Sequence, residues 1–152
     1  MVAITVPEIL TAMAGVIAGV NGVNAAHYPP PTKIMRGPEV VLYWGSDVDT
    51  VIANDMRERR MWTPAVKAQI LIAMEGNTPA EFGVIDGLIH PIVDAFDAGT
   101  PPQVMPSLSG KVDRCQVERV RPTLMVNYAG HDYYAAELFF TIKFHRNVEV
   151  AP

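Results

Sequence analysis

Apolar side chains occupy every second position from Tyr134 to Phe144: Tyr134, Ala136, Leu138, Phe140, Ile142 and Phe144 share one parity, while Glu137, Thr141, Lys143 and His145 share the other. Successive side chains of an extended chain point to opposite faces, so the pattern dictates a strand with one face on a core and one toward solvent. The same signature recurs at Val66, Ala68, Ile70, Ile72 and Met74, with Lys67, Gln69 and Glu75 among the residues facing away. A sheet covered on one side satisfies both segments.

Two segments with helical spacing supply that cover. Val6, Ile9, Leu10, Met13, Ile17 and Val20 recur at threes and fours, and Thr5 stands three residues before Glu8, the arrangement that satisfies free amides at a helix start. Asn21-Gly22 is a fitting stop, and Pro29-Pro30-Pro31 forces an extended connector. Farther on, Thr78-Pro79-Ala80-Glu81 repeats the capping logic, with threonine at the cap, ahead of Phe82, Ile85, Ile89, Ile92 and Phe96. Pro91 lacks the amide that bonds to the carbonyl of Gly87, which predicts a kink or split near His90.

Val40 to Trp44 is apolar on both faces and reads as a short strand ending at Gly45. Cys115 and Val117 hold one parity and Leu124, Val126 and Tyr128 the other, so a bulge or an edge position is expected near Pro122, before a turn at Ala129-Gly130-His131-Asp132. Residues 46–61 are polar and charged and read as a solvated excursion. The expectation is a single α+β domain over residues 1–152, with a mainly antiparallel four-stranded sheet, helices packed on one face, the order α-β-β-α-β-β and an extended loop at 46–62.

A chain of 152 residues holds a core without staples, burying roughly two thirds of its unfolded surface. Its charged share of 18% falls below the roughly 25% usual for a soluble domain, which favours some burial between subunits. The net charge of −4 argues against a protein whose main task is gripping phosphates. No lysine or arginine precedes Lys33, so the positive start of a secretory signal is missing, and no apolar run is long enough to span a bilayer.

Candidates for chemistry are few. His27, His90, His131 and His145 are scattered, without metal-ligand spacing. Asp47-Val48-Asp49 offers two carboxylates to a divalent ion, but turn chemistry after Gly45 and Ser46 explains it as well. A small enzyme using Asp47, Asp49 and His131 needs those side chains to converge. Cys115 sits among strand residues and reads as a buried structural thiol. No catalytic residue, metal or cofactor is assigned. The run Arg57-Glu58-Arg59-Arg60-Met61-Trp62 has two readings: a contact patch whose arginine forks meet carboxylates of a neighbour, or a solvated loop with Trp62 tucked beneath it. With Asp47 and Asp49, this patch comprising Arg57, Glu58, Arg59, Arg60 and Trp62 is the candidate protein interface.

In the order of these elements the chain resembles the tail terminator family of long-tailed bacteriophages and related gene-transfer particles. An opening amphipathic helix runs to His27-Tyr28-Pro29; the strands Val40–Trp44 and from Val66 follow, then the helix capped at Thr78. The hairpin Val126-Asn127-Tyr128-Ala129-Gly130-His131-Asp132-Tyr133 leads into Leu138-Phe139-Phe140-Thr141-Ile142. The resemblance implies a virion structural protein, assembled in the host cytoplasm, that forms a ring of six copies. The ring caps the tail tube protein, ends its polymerisation and presents a surface to a head connector or stopper protein. DNA passes through the lumen without specific binding, and no membrane is involved. An acidic bore is expected to repel the passing genome. Another connector ring subunit, such as a stopper or head-completion protein, remains the nearest alternative, and an adaptor that recruits a peptide to a sheet edge is a third.

Overall fold

A computed structural model describes residues 4–35, 37–45, 49–56, 59–97 and 112–147. The elements in chain order are α1 (Val6–Ala18), β1 (Ala25–His27), β2 (Glu39–Trp44), β3 (Val51–Met56), β4 (Arg59–Thr63), β5 (Ala65–Ala73), α2 (Thr78–Asp97), β6 (Val112–Tyr128) and β7 (His131–Asn147). The expected four-stranded antiparallel sheet and the order α-β-β-α-β-β are therefore incorrect: one mixed sheet of seven strands forms, in the order β1-β2-β5-β7-β4-β3 with β6 on β7, and β1 runs parallel to β2.

The missing strands left no burial pattern in the sequence. Val51, Ile52, Ala53 and Asn54 of β3 are all exposed, so neither face of that strand selects apolar residues, and its backbone ladder to β4 alone defines it. Residues 46–62 are consequently not one loop. Only three residues long, β1 (Ala25–His27) precedes the prolines and is too short to show an alternation.

Four long rows organise the antiparallel part. β4 and β5, separated by Pro64, lie end to end along one edge of β7, Arg59–Trp62 opposite Asn147–Phe144 and Ala65–Ala73 opposite Thr141–Tyr133. Outside them, β2 and β3 lie end to end, Glu39–Trp44 opposite Leu71–Val66 and Val51–Met56 opposite Thr63–Arg59. The other edge of β7 pairs with β6, so β7 is bonded on both sides over most of its 17 residues. Register shifts interrupt β6 at Val112/Arg114, Val117/Arg119 and Arg121/Leu124; the last is the bulge expected near Pro122. The hairpin turn is Ala129-Gly130, both at positive φ (51° and 84°), the geometry that matches the twist of the flanking strands.

Both helices pack on the face carrying Val40, Leu42, Ala68, Ile70, Ala136, Leu138, Phe140, Ile142 and Phe144. Helix α1 buries Val6, Ile9, Leu10, Met13 and Ile17 of the expected stripe and Ala14 besides, with Val20 past its end, and its capping box joins Thr5 and Glu8 through bonds of 3.2 and 3.4 Å. It ends at Gly19, short of Asn21-Gly22. Helix α2 buries Ile85, Leu88, Ile92 and Phe96, with Phe96 edge-on to Phe140 at 5.0 Å. It does not split at Pro91, because side chains on both sides of the proline are anchored in one core and offset the lost bond. At its start the Thr78 hydroxyl pairs with Tyr134 at 3.0 Å, while the Glu81 carboxylate accepts from the Glu75 amide at 2.6 Å. The box expected there is thus not closed by Thr78.

The connector after β1 crosses the opposite face. There Ile34 packs with Val41, Leu71, Tyr133 and Ala135, and the Tyr133 and Tyr128 hydroxyls donate to the carbonyls of Ile34 and Pro31. Buried Glu39 accepts from the Met35 amide at 2.6 Å and pairs with His27 at 2.7 Å. Gly37, at φ +79°, lies so close to the sheet that a Cβ would stand 2.4 Å from the Leu71 carbonyl oxygen, so only glycine fits.

Candidate interaction surface

The connector covers one end of that face and leaves the other open. Its uncovered part is a groove of about 550 Å³. Asp49 and Val51 form one wall, Arg114, Glu118 and Arg119 of β6 the other, and Lys67, Phe139, Thr141 and Lys143 lie between them. The Arg119 guanidinium lies 4.5 Å from the centre of the Phe139 ring, and Thr141 donates to Glu118 at 2.8 Å. Arg114 donates to Gln116 at 3.1 Å.

A buried polar cluster sits between groove and connector. Glu137, 3% exposed, meets Lys67 at 3.0 Å and Arg121 at 2.9 Å, and accepts from Gln69 at 3.0 Å. Gln69 in turn accepts from the Tyr43 hydroxyl at 3.2 Å. Burial pushes the Glu137 carboxyl up, but hydrogen bonds from Lys67 and Gln69 and the charges of Lys67 and Arg121 outweigh it and hold it below the ordinary carboxylate value. Tyr43 is pushed up to about 12 by burial, then by Tyr128 and Glu137, so its phenol stays a donor. The cluster is a satisfied structural network that anchors Lys67 at the groove.

Charge is segregated between the two layers. Helices α1 and α2 contain Glu8, Glu81, Asp86, Asp94 and Asp97 and no lysine or arginine. Strands β4 to β7 contain Arg59, Arg60, Lys67, Arg114, Arg119, Arg121, Lys143 and Arg146, eight of the chain's 12 basic residues, against the four acids Asp113, Glu118, Asp132 and Glu137. A net charge of −4 therefore conceals an acidic helical flank and a cationic sheet flank.

Of the residues singled out in the sequence, Asp47, Arg57 and Glu58 lie outside the described residues. Asp49 lines the groove. Arg59, Arg60 and Trp62 lie on β4, opposite Asn147, Arg146 and Phe144. Strand alternation sends Arg59 and Arg60 to opposite faces, so they do not form one patch. Trp62 stacks on Phe144 at 6.0 Å with the Arg146 guanidinium 5.7 Å from its ring; it ties the β3–β4 hairpin to the core. Beyond the helices this hairpin exposes Val51 and Ile52, 58% and 46% accessible, and the Trp44 indole donates to Thr50 at 2.7 Å.

Asp49 and His131 are not brought together. Asp49 stands at the level of Thr141, whereas His131 begins β7, ten positions or about 33 Å away along the strand. Cys115 is 1% exposed, and burial pushes its thiol up to about 12. Among the described residues, no group of three His, Cys, Asp or Glu is placed to hold a metal, and no helix is long and apolar enough to cross a membrane. The groove cations Lys67, Arg114, Arg119 and Lys143 were missed because a polar strand face reads as ordinary solvation. The absence of basic residues from both helical segments is the signal that points to them. Comparison with protein-family models finds none that matches the chain, and comparison with curated proteins finds no match either.

Proposed function

We propose that this chain is a ring-forming virion assembly subunit of the tail-terminator type. Six copies close around the end of a tail tube, stop further subunits adding, and offer the opposite surface to a head connector or stopper protein. The observation that carries this reading is the pair of broad, dissimilar flanks, one helical and acidic, the other a grooved, cationic sheet. Unlike flanks associate head to tail, and a head-to-tail contact that turns through a fixed angle closes into a ring with no free end. Such a task calls on recognition and no bond chemistry. The β3–β4 hairpin, with Val51 and Ile52 exposed, is the element best placed to reach a neighbouring protein. DNA crosses the lumen without being held, and the particle is assembled in the host cytoplasm.

Electron microscopy of tails assembled without this protein tests the reading. Tubes of uncontrolled length are expected. Tails of normal length without heads assign the chain to the connector instead, and normal headed particles dismiss both roles.

A further inference from the structure

Helix α2 carries two features that its own fold does not require. Gly83 and Gly87 are exposed in mid-helix, and a Cβ at either position meets nothing within 4 Å, yet glycine is a poorer helix former than alanine there. Asp94 and Asp97 occupy the last turn, which holds no basic residue. Carboxylates at that end oppose the helix dipole.

These residues share one side of the helix. At 100° per residue, Gly83, Asp86, His90, Asp94 and Asp97 fall on the face opposite buried Ile85, Leu88, Ile92 and Phe96. The Asp86 carboxylate accepts from Thr123 at 3.2 Å through one oxygen. The result is a low, acidic ridge over which another backbone can approach closely.

The groove on the other side of the sheet has the matching dimensions and the opposite charge. From the β3 wall to β6 it spans three strand spacings, about 14 Å, and a helix with its side chains is about 10–12 Å wide. Asp86 to Asp97 extends about 16 Å along a helix axis, and Phe139 to Lys143 about 14 Å along β7. Arg114, Arg119 and Lys143 line that length. Because α2 and the groove lie on opposite faces of one sheet, a molecule cannot fill its own groove.

We infer that α2 of one copy docks in the cationic groove of the next, Asp94 and Asp97 meeting Arg114 and Lys143. This contact rests on the ring reading above and names the surfaces that build the ring. Each copy gives one helix and receives one, so the contact has direction and repeats.

Two reversed variants test it, with mass measured in solution over a range of concentration and salt. Asp94→Lys with Asp97→Lys, and separately Arg114→Glu with Lys143→Glu, alter exposed positions or the groove lining, and circular dichroism checks that both stay folded. Each variant alone is expected to associate at least tenfold more weakly than the wild type. An equimolar mixture is expected to recover association, with both variants in equal amounts, because acid and base again oppose each other at every contact. Variants that assemble like the wild type overturn this contact and leave the ring standing on other surfaces. A wild type that is monomeric at every concentration, even at low salt, removes the ring as well. Binding of a short DNA duplex that only the groove variant loses, with wild-type mass in both, makes the groove a phosphate site and ends the proposal.

Discussion

Glu137 shows how much a single side chain does on the sheet's second face. It is one carboxylate with three partners, and removing its charge strands Lys67 in a half-buried site. Glu137→Gln is therefore expected to lower stability at neutral pH by about 3 kcal/mol, measured by urea unfolding. Its carboxyl is held below the ordinary value of 4.5, so its contribution is complete above that value and disappears as pH falls through the lower, folded one. The gap between wild type and Glu137→Gln should thus narrow at pH 3; a constant gap would show that the ion pairs are not its source. Cys115, buried with its thiol near 12, is expected to react with a thiol reagent at least a hundredfold more slowly in the native protein than in urea. The reading of Cys115 as a buried structural thiol agrees with its 1% exposure. The alternation of the sequence placed Glu137 on a solvent face, since alternation reports direction and not the connector, Lys67 and Arg121 that close over it.

Elements were legible where burial had two unequal faces to select between. The stripe of α1 and the alternation of β5 and β7 each record one buried side, and each corresponds to an observed element. Nothing recorded β3, because both its faces are wet, and the cationic groove left only an indirect trace, the lack of basic residues in the helices, because its cations are drawn from three strands. Pro91 misled for a related reason: local propensity argues for a break, while Ile85, Leu88, Ile92 and Phe96 together hold α2 through it. With the helix intact on both sides, Pro91→Ala is expected to raise stability by up to about 3 kcal/mol, read as a higher melting temperature. Reversing Arg57, Arg59 and Arg60 to glutamate is expected to block joining to the tube while circular dichroism still reports a folded chain. Joining unaffected by the triple reversal would exclude these three charges from the contact.

At the scale of the whole molecule, formal charge averages over two flanks that differ in kind. If those flanks associate, ionic strength must weaken the association, because exposed charges are screened beyond a Debye length of about 8 Å at physiological salt. Light scattering between 50 mM and 1 M salt is expected to show a falling mass, and a mass that rises with salt would point to an apolar contact. The double pairing of β7 reaches further, to the order of events on the ribosome. Every strand that β7 bonds to is synthesised before it, so β4, β5 and β6 must wait with open ladders until the last of them can be bridged. Sub-structures that could join prematurely are thereby withheld, and a nascent subunit gains its flanks only when its central strand has emerged.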